Sequence, residues 1–388
     1  MTAPVLTPPA TRRTTRVPTL RRHLPALVAW GVGAVVYLMS TAYHYRVLGV
    51  EPRPAKMIFE DWLIWDTGHY LDIAERGYDT FERHAFLPLY PLLLHGTDYL
   101  PGGQRIAGPI VTMLVALAAL VLIQRLTEHE FDGPTARRAV FYVVAFPTAL
   151  FLYAPYNEGL FILCATAALY AARRGNWWVA GLMGGLAGGV RLFGLLLLLP
   201  LAYEYYRQHR RSLDWSALAL LLVPAGLVAY GVYCWVTTGD ALAFAHAQGH
   251  WHRAYNIPGV PQLHALQLIG EQPLLSERGL LYVQQLALFA LALTVLILSV
   301  AGPYRFRADQ RYLVIYAVAL FIPLLVTEVG PEDPLGSLPR FLLEIVPIFM
   351  ILGRIGARDL LDRALLLTLM ALNVINILTF LNKTTFVA

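Results

Sequence analysis

The chain has 388 residues, of which 57% are hydrophobic and 14% charged. A soluble domain of this length could not hide so many long apolar runs in one core, so the composition places the chain in a membrane. Its net charge of +5 sits in short basic clusters rather than across one surface, which argues against a nucleic-acid-binding protein.

Residues 1–23 are rich in Pro, Thr and Arg and read as a disordered cytoplasmic N-terminus. Arg12, Arg13, Arg16, Arg21 and Arg22 precede the first apolar run, and no small-residue cleavage site ends it, so it reads as a retained signal anchor. Apolar runs follow at 24–47, 105–124, 139–154, 158–173, 177–190, 192–206, 215–236, 279–301, 312–328, 339–353 and 364–381. Each is near the ~20 residues that cross a bilayer, which predicts an all-α polytopic protein of about eleven transmembrane helices. With the N-terminus inside, the clusters at Arg125, Arg137 and Arg138, at Arg173 and Arg174, and at Arg207, Arg210 and Arg211 share one face. So do Arg305, Arg307 and Arg311, and Arg354, Arg358 and Arg363. The loops 48–104 and 237–278 and the acidic loop 328–333 fall outside, within a single transmembrane domain over 24–388. Two places resist simple crossing. Residues 86–100 are short and broken by Pro88 and Pro91, and read as an interfacial or re-entrant helix. Residues 177–206 read as two short helices meeting near Arg191, because a lone Arg at the bilayer centre is costly. Cys164 and Cys234 lie in apolar runs and read as core residues.

The stretch 60–91 is the most unusual, being acidic and aromatic between apolar runs. At helical spacing Trp62, Trp65, Asp66, His69, Tyr70 and Ile73 share one face, with Asp72, Glu75 and Arg76 opposite. A carboxylate inside such an aromatic stripe costs free energy unless it is paired or used. Glu60, Asp61, Asp66, His69, Tyr156, Glu158, Arg191, His246, His250, Trp251, His252, Arg253 and Arg340 collect on the outer side of the expected topology. Glu158 opens an apolar run, where a helix dipole also favours a carboxylate. Arg191 sits between glycine-rich turns, where a snorkelling Arg is the simpler alternative. The histidines at 246, 250 and 252 lack a matching carboxylate and read as a solvated loop, so no metal site is expected. No nucleotide-cradling motif is present.

The segments WDTGHYLDIAERGY and AFLPLYPLL resemble the signature of the PIG-V-type mannosyltransferase family, within the GT-C glycosyltransferases. The likeness continues through FPTALFLYAPYNEGLF, ARRGNWWVAGLMGGLAGGVRLFG, GDALAFAHAQGHW and LPRFLLEIVPIF, in order along the chain. It implies a GT-C-type fold in a bacterial plasma membrane with the active site on the extracytoplasmic face. It further implies inverting transfer of mannose from a polyprenyl-phosphate donor to a hydroxyl acceptor on a glycolipid, glycan or protein. A lipid-phosphate leaving group needs no protonation, so one base is enough. Asp66, within the signature, is the expected base, with Glu60 and Asp61 as alternative acids. His69, Tyr70, Tyr156, Glu158, Arg191, Trp251, Arg253 and Arg340 are the expected substrate contacts, the arginines suiting a phosphate. No cofactor is expected, with a divalent metal left open. The competing readings are a polytopic transporter or lipid flippase, and a GT-C enzyme using another sugar.

Overall fold

The computed structural model describes residues 19–47, 59–209, 212, 214–251, 253–273 and 275–383. Of the stretch 1–23 expected to be disordered, residues 1–18 lie outside the described residues, as do the first part of the outer loop (48–58), Arg210, Arg211 and His252, whereas residues 19–23 belong to the first helix, Thr19–Val47. In chain order the helices are α1 (Thr19–Val47), α2 (Asp66–Arg76), α3 (Leu89–Gly96), α4 (Gly103–Glu130), α5 (Gly133–Ala145), α6 (Glu158–Arg173), α7 (Trp177–Val190) and α8 (Leu198–His209). There follow α9 (Ala225–Thr238), α10 (Ala243–His246), α11 (Val260–Glu271), α12 (Glu277–Val300), α13 (Arg311–Val326), α14 (Leu338–Leu342), α15 (Val346–Ile355) and α16 (Asp359–Leu381). Two short strands, β1 (Ala254–Tyr255) and β2 (Thr327–Glu328), pair antiparallel with Ala254 opposite Glu328. They tie the loop after α10 to the end of α13.

Every apolar run read from the sequence contains helix, but the helices are not all of crossing length. Among the described residues five helical stretches are long and apolar enough to cross a membrane: Arg21–Arg46, Gly103–Glu130, Glu277–Val300, Ala308–Val326 and Asp359–Leu381. A sixth is the pair Trp215–Leu222 and Ala225–Thr238 if it is taken as one span bent by 47°. Helices α5, α6, α7, α8 and α15 have 13, 16, 14, 12 and 10 residues, about 15–24 Å at 1.5 Å per residue. Backbone breaks shorten them. Helix α5 stops before Pro147, and the 339–353 run is interrupted between α14 and α15. Irregular backbone at such depth needs protein partners. Asn373 and Asn376 of α16 supply them, donating to the carbonyls of Val144 and Pro147 at 3.1 and 3.0 Å. Helix α3 has eight residues, roughly 12 Å, far short of a bilayer.

Glycine lets the 177–226 region pack closely. A Cβ on Gly226 would fall 2.0 Å from the Gly185 carbonyl oxygen, and one on Gly194 would fall 2.2 Å from the Gly188 nitrogen. Small residues at such crossings let backbones touch. The Gly194 approach folds the chain back just after Arg191. As the sequence predicts, the 177–206 run breaks there: α7 ends at Val190, and Arg191 is extended at φ −149°, ψ 147°.

Ion-pair clusters occupy the two ends of α6. Glu158 opens the helix and meets Arg191 and Arg340. Arg173 closes it, about 22 Å away, and meets Glu130, Glu204 and Asp309. Arg173, Arg207, Arg307 and Arg354, one from each of four clusters expected on the inner face, lie at the Arg173 end. Arg307 donates to the Glu130 carbonyl at 3.0 Å, Arg207 pairs with Glu204 at 2.6 Å, and Arg354 donates to the Pro303 carbonyl at 3.1 Å.

Candidate active site

At the Glu158 end a cleft of about 400 Å³ opens between α2, the α7–α8 turn, the loop after α10 and α14. Its polar wall is made by Asp66, His69, Arg191, Arg253 and Arg340, and its aromatic wall includes Trp251.

Asp66 reaches the cleft by a local backbone device. The stripe from Trp62 to Ile73 is not one helix. A 3₁₀ turn over Glu60–Trp62 ends first, and α2 begins at Asp66. Between them Trp65 adopts φ 58°, ψ −131°. Such a conformation costs about 1–3 kcal/mol for a non-glycine residue and persists only where its surroundings enforce it. Two bonds do so here. Thr67 Oγ1 donates to the Pro155 carbonyl at 3.1 Å, and Tyr156 donates its hydroxyl to the Ile64 carbonyl at 3.2 Å. The reversal sends Trp62 away from the cleft, where it stacks on Tyr37 with ring centroids 3.9 Å apart. It leaves Asp66 in the first turn of α2, where the helix dipole favours a carboxylate.

A second strained residue faces it. Ser337, at φ 64°, ψ −4°, precedes α14, which carries Arg340. Thr148 Oγ1 donates to the Pro339 carbonyl at 2.8 Å and fixes this turn. Arg340 Nη1 then donates to Asp66 Oδ2 at 2.5 Å, and its Nε donates to Glu158. Arg191 donates to the same Glu158 oxygen at 2.9 Å and to Glu344. The result is a chain of alternating charge: Asp66, Arg340, Glu158, Arg191, Glu344. The guanidinium of Arg340 lies 4.8 Å from the Tyr156 ring centre, and that of Arg191 lies 4.7 Å from Phe341.

Burial grades this chain. The Glu158 and Arg340 side chains are 0% and 4% exposed, whereas Asp66 keeps 22%, through the cleft mouth. Burial raises the Asp66 pKa, but the charge and hydrogen bond of Arg340, then the charges of Arg253 and His69, outweigh it. Its carboxyl is held below the usual carboxylate range. Arg253 shows the opposite imbalance. Its Nη1 donates to Gln248 at 3.1 Å, and no carboxylate among the described residues forms an ion pair with it. Burial and the neighbouring positive charge of Arg191 lower its pKa. The cleft thus contains a desolvated cation suited to an anion.

Of the expected contacts, Asp66, His69, Tyr70, Arg191, Trp251, Arg253 and Arg340 line the cleft. His69 stacks on Phe86 with centroids 4.9 Å apart and meets the Trp251 ring edge-on at 5.3 Å. Tyr156 and Glu158 lie behind the wall, because Tyr156 braces Ile64 and Glu158 is enclosed by the two arginines. They are not placed to touch a molecule in the cleft. Glu60 and Asp61 do not line it either, since the Trp65 reversal leaves them on the α1 side, where Asp61 feels His44 and Lys383. Sequence reasoning missed Glu344, although it stands as a lone acid in the apolar run LPRFLLEIVPIF. It also missed Asn157, which lines the cleft and whose buried Oδ1, like the buried Trp251 Nε1, has no hydrogen-bond partner among the described residues. Among the described residues no group of three His, Cys, Asp or Glu is arranged to hold a metal ion. His246 pairs with Asp240 at 2.7 Å.

Residues 50–214 match the family model described as Mannosyltransferase (PIG-V). Curated relatives include GPI alpha-1,6-mannosyltransferase 2 of Mus musculus, 34% identical over 173 residues, covering 41% of this chain and 35% of that protein. The Rattus norvegicus protein of the same name is 31% identical over 230 residues, covering 55% of this chain and 44% of that one. The match therefore spans less than half the length of these two relatives. Among solved structures, ArnT from Cupriavidus metallidurans bound to undecaprenyl phosphate aligns with a TM-score of 0.51 and 17% identity. The alignment covers 85% of this chain and 59% of ArnT, and it shows a shared fold.

Proposed function

We propose that this chain is a mannosyltransferase of the PIG-V type and that its cleft transfers mannose from a polyprenyl-phosphate donor to a hydroxyl acceptor, with inversion. The observation that carries the reading is the convergence of one partly exposed carboxylate, Asp66, and three arginines on one cleft. The acceptor oxygen attacks C1 of the sugar while the bond from C1 to the phosphate oxygen breaks. The electron pair leaves with the lipid phosphate, and the acceptor proton goes to Asp66. Arg253, lacking a carboxylate partner among the described residues, is the first handle for the phosphate. Arg191 and Arg340 reinforce it from within their ion pairs, and fixed donors of this kind stabilise charge as it develops on the leaving group. As the phosphate draws on Arg340 and Arg253, their hold on Asp66 weakens and its basicity rises toward what the reaction needs. Phe86 and Trp251 form the aromatic wall, and the His69 ring packs against both.

The cleft lies at the bundle end opposite the arginine clusters, which supports an extracytoplasmic site and a cytoplasmic N-terminus. The acceptor class follows from the reaction only as a hydroxyl. The test is purified protein in liposomes with polyprenyl-phosphate mannose and candidate glycolipid or glycan acceptors. Release of polyprenyl phosphate matched by a mannosylated product supports the reading. Movement of intact donor between leaflets without cleavage refutes it and favours a lipid transporter.

A further inference from the structure

The Arg173 end of the bundle has a second recess, of about 680 Å³, between α8, the end of α12 and the start of α13. Arg305, Arg307 and Arg311 form its polar side; Val300, Phe306 and Ile315 are among its apolar lining. The nearby acids are already committed. Asp309 pairs with Arg173 and, at 3.2 Å, with Arg307; Glu130 pairs with Arg173 at 2.7 Å; Glu204 pairs with Arg207 at 2.6 Å. Among the described residues no acid pairs with the side chain of Arg305 or Arg311, so the recess carries uncompensated positive charge.

The surface leading away from it is apolar. Arg311, Ile315, Val318 and Ile322 fall on one face of α13, and Val318 and Ile322 are 40% and 53% exposed. Ile297 and Val300 at the end of α12 are likewise exposed. Both helices belong to stretches long and apolar enough to span a membrane. A basic recess at the end of a lipid-facing stripe matches a molecule with an anionic head and an acyl tail better than it matches a free anion. We propose that this recess binds the phosphate headgroup of an anionic phospholipid, with one acyl chain lying along the α13 stripe. The site stands apart from the cleft and does not depend on the reaction proposed there.

The full chain, purified in detergent and incubated with equal amounts of phosphatidylglycerol and phosphatidylcholine, should retain the anionic lipid in native mass spectra. The double variant Arg305→Gln/Arg311→Gln should lose that preference by roughly tenfold or more, since each basic side chain near a headgroup adds appreciably to binding. Arg305→Lys/Arg311→Lys, which keeps the charge, should preserve it. Glycerol phosphate at matched concentration should not displace the lipid. Equal retention of the two lipids by the parent protein overturns the proposal even if the variants fail to fold. So does an unchanged preference in the Gln variant, or displacement by glycerol phosphate, which would mark a soluble-anion site.

Discussion

Replacing Asp66 by Asn keeps the shape of the side chain and removes the charge that faces both Arg340 and the cleft. Two effects of different size follow. Losing a positioned base costs ~10² to 10⁴ in rate. Losing a charged hydrogen bond costs about 1.5–3 kcal/mol of stability. The lower end applies here, because the Asp66 side chain is 22% exposed and Arg340 keeps Glu158 as a partner. The variant should therefore fold, melt within a few degrees of the parent, bind donor, and turn over at least a hundredfold more slowly. Initial rates of polyprenyl phosphate release, measured beside donor binding and thermal melting, separate the two effects. The pH dependence has a fixed sign. A carboxyl held below its ordinary range by Arg340 stays ionised down through the usual value of about 3.9. The stability it contributes is present above that value and is lost as pH falls through the lower folded-state pKa. The acid limb of kcat/KM assigned to Asp66 should accordingly lie below about pH 4. Turnover within tenfold of the parent, in a protein that melts normally, would remove Asp66 from the reaction. Asp61→Asn serves as the control, and its turnover should stay near that of the parent because Asp61 lies off the cleft.

Arg253→Gln should raise the donor KM by about tenfold to a hundredfold, the value of one charged hydrogen bond to phosphate, with little change in melting because no carboxylate among the described residues forms an ion pair with Arg253; an unchanged KM rules out this handle. Asp333, whose pKa burial raises to about 6 despite the bond from Gln285, should be a stability liability at neutral pH. An acid raised in the folded state favours folding less as pH climbs from about 4 to 6, and the deficit persists above. Asp333→Asn should therefore stabilise the protein more at pH 8 than at pH 5, the difference being about 1.4 kcal/mol, one pKa unit's worth; equal melting shifts at both pH values would contradict this. Gly194→Ala places a methyl 2.2 Å from the Gly188 nitrogen and 2.3 Å from the Ala187 carbonyl carbon. The turn that carries Arg191 must then move, so melting should drop by an amount equivalent to about 1–3 kcal/mol and turnover should fall with it; normal melting would show that the turn is not rigid.

Much of this protein was legible because its signals are local. The break at Arg191 is predicted from the cost of a lone Arg within one long span, and the start of α3 follows from Pro88 before it, since both depend on residues within a turn of the site. The apolar runs located the helices, and the aromatic stretch around Asp66 located one wall of the cleft. Spacing alone failed at Trp65. Periodicity carried the stripe straight through 62–73, whereas the chain reverses there because Pro155 and Ile64 carbonyls, bonded to Thr67 and Tyr156, hold it. That reversal decided that Asp66 lines the cleft and that Glu60 and Asp61 do not. The crossing count was also set beyond the sequence window, since short helices such as α5 rely on distant side chains to satisfy their ends. The ion-pair chain belongs wholly to the tertiary structure. Asp66 and Arg340 are 274 residues apart, and Arg191 and Glu344 are 153 apart. Which buried charge neutralises which depends on which helix ends pack together, and no pattern confined to neighbouring residues carries that information.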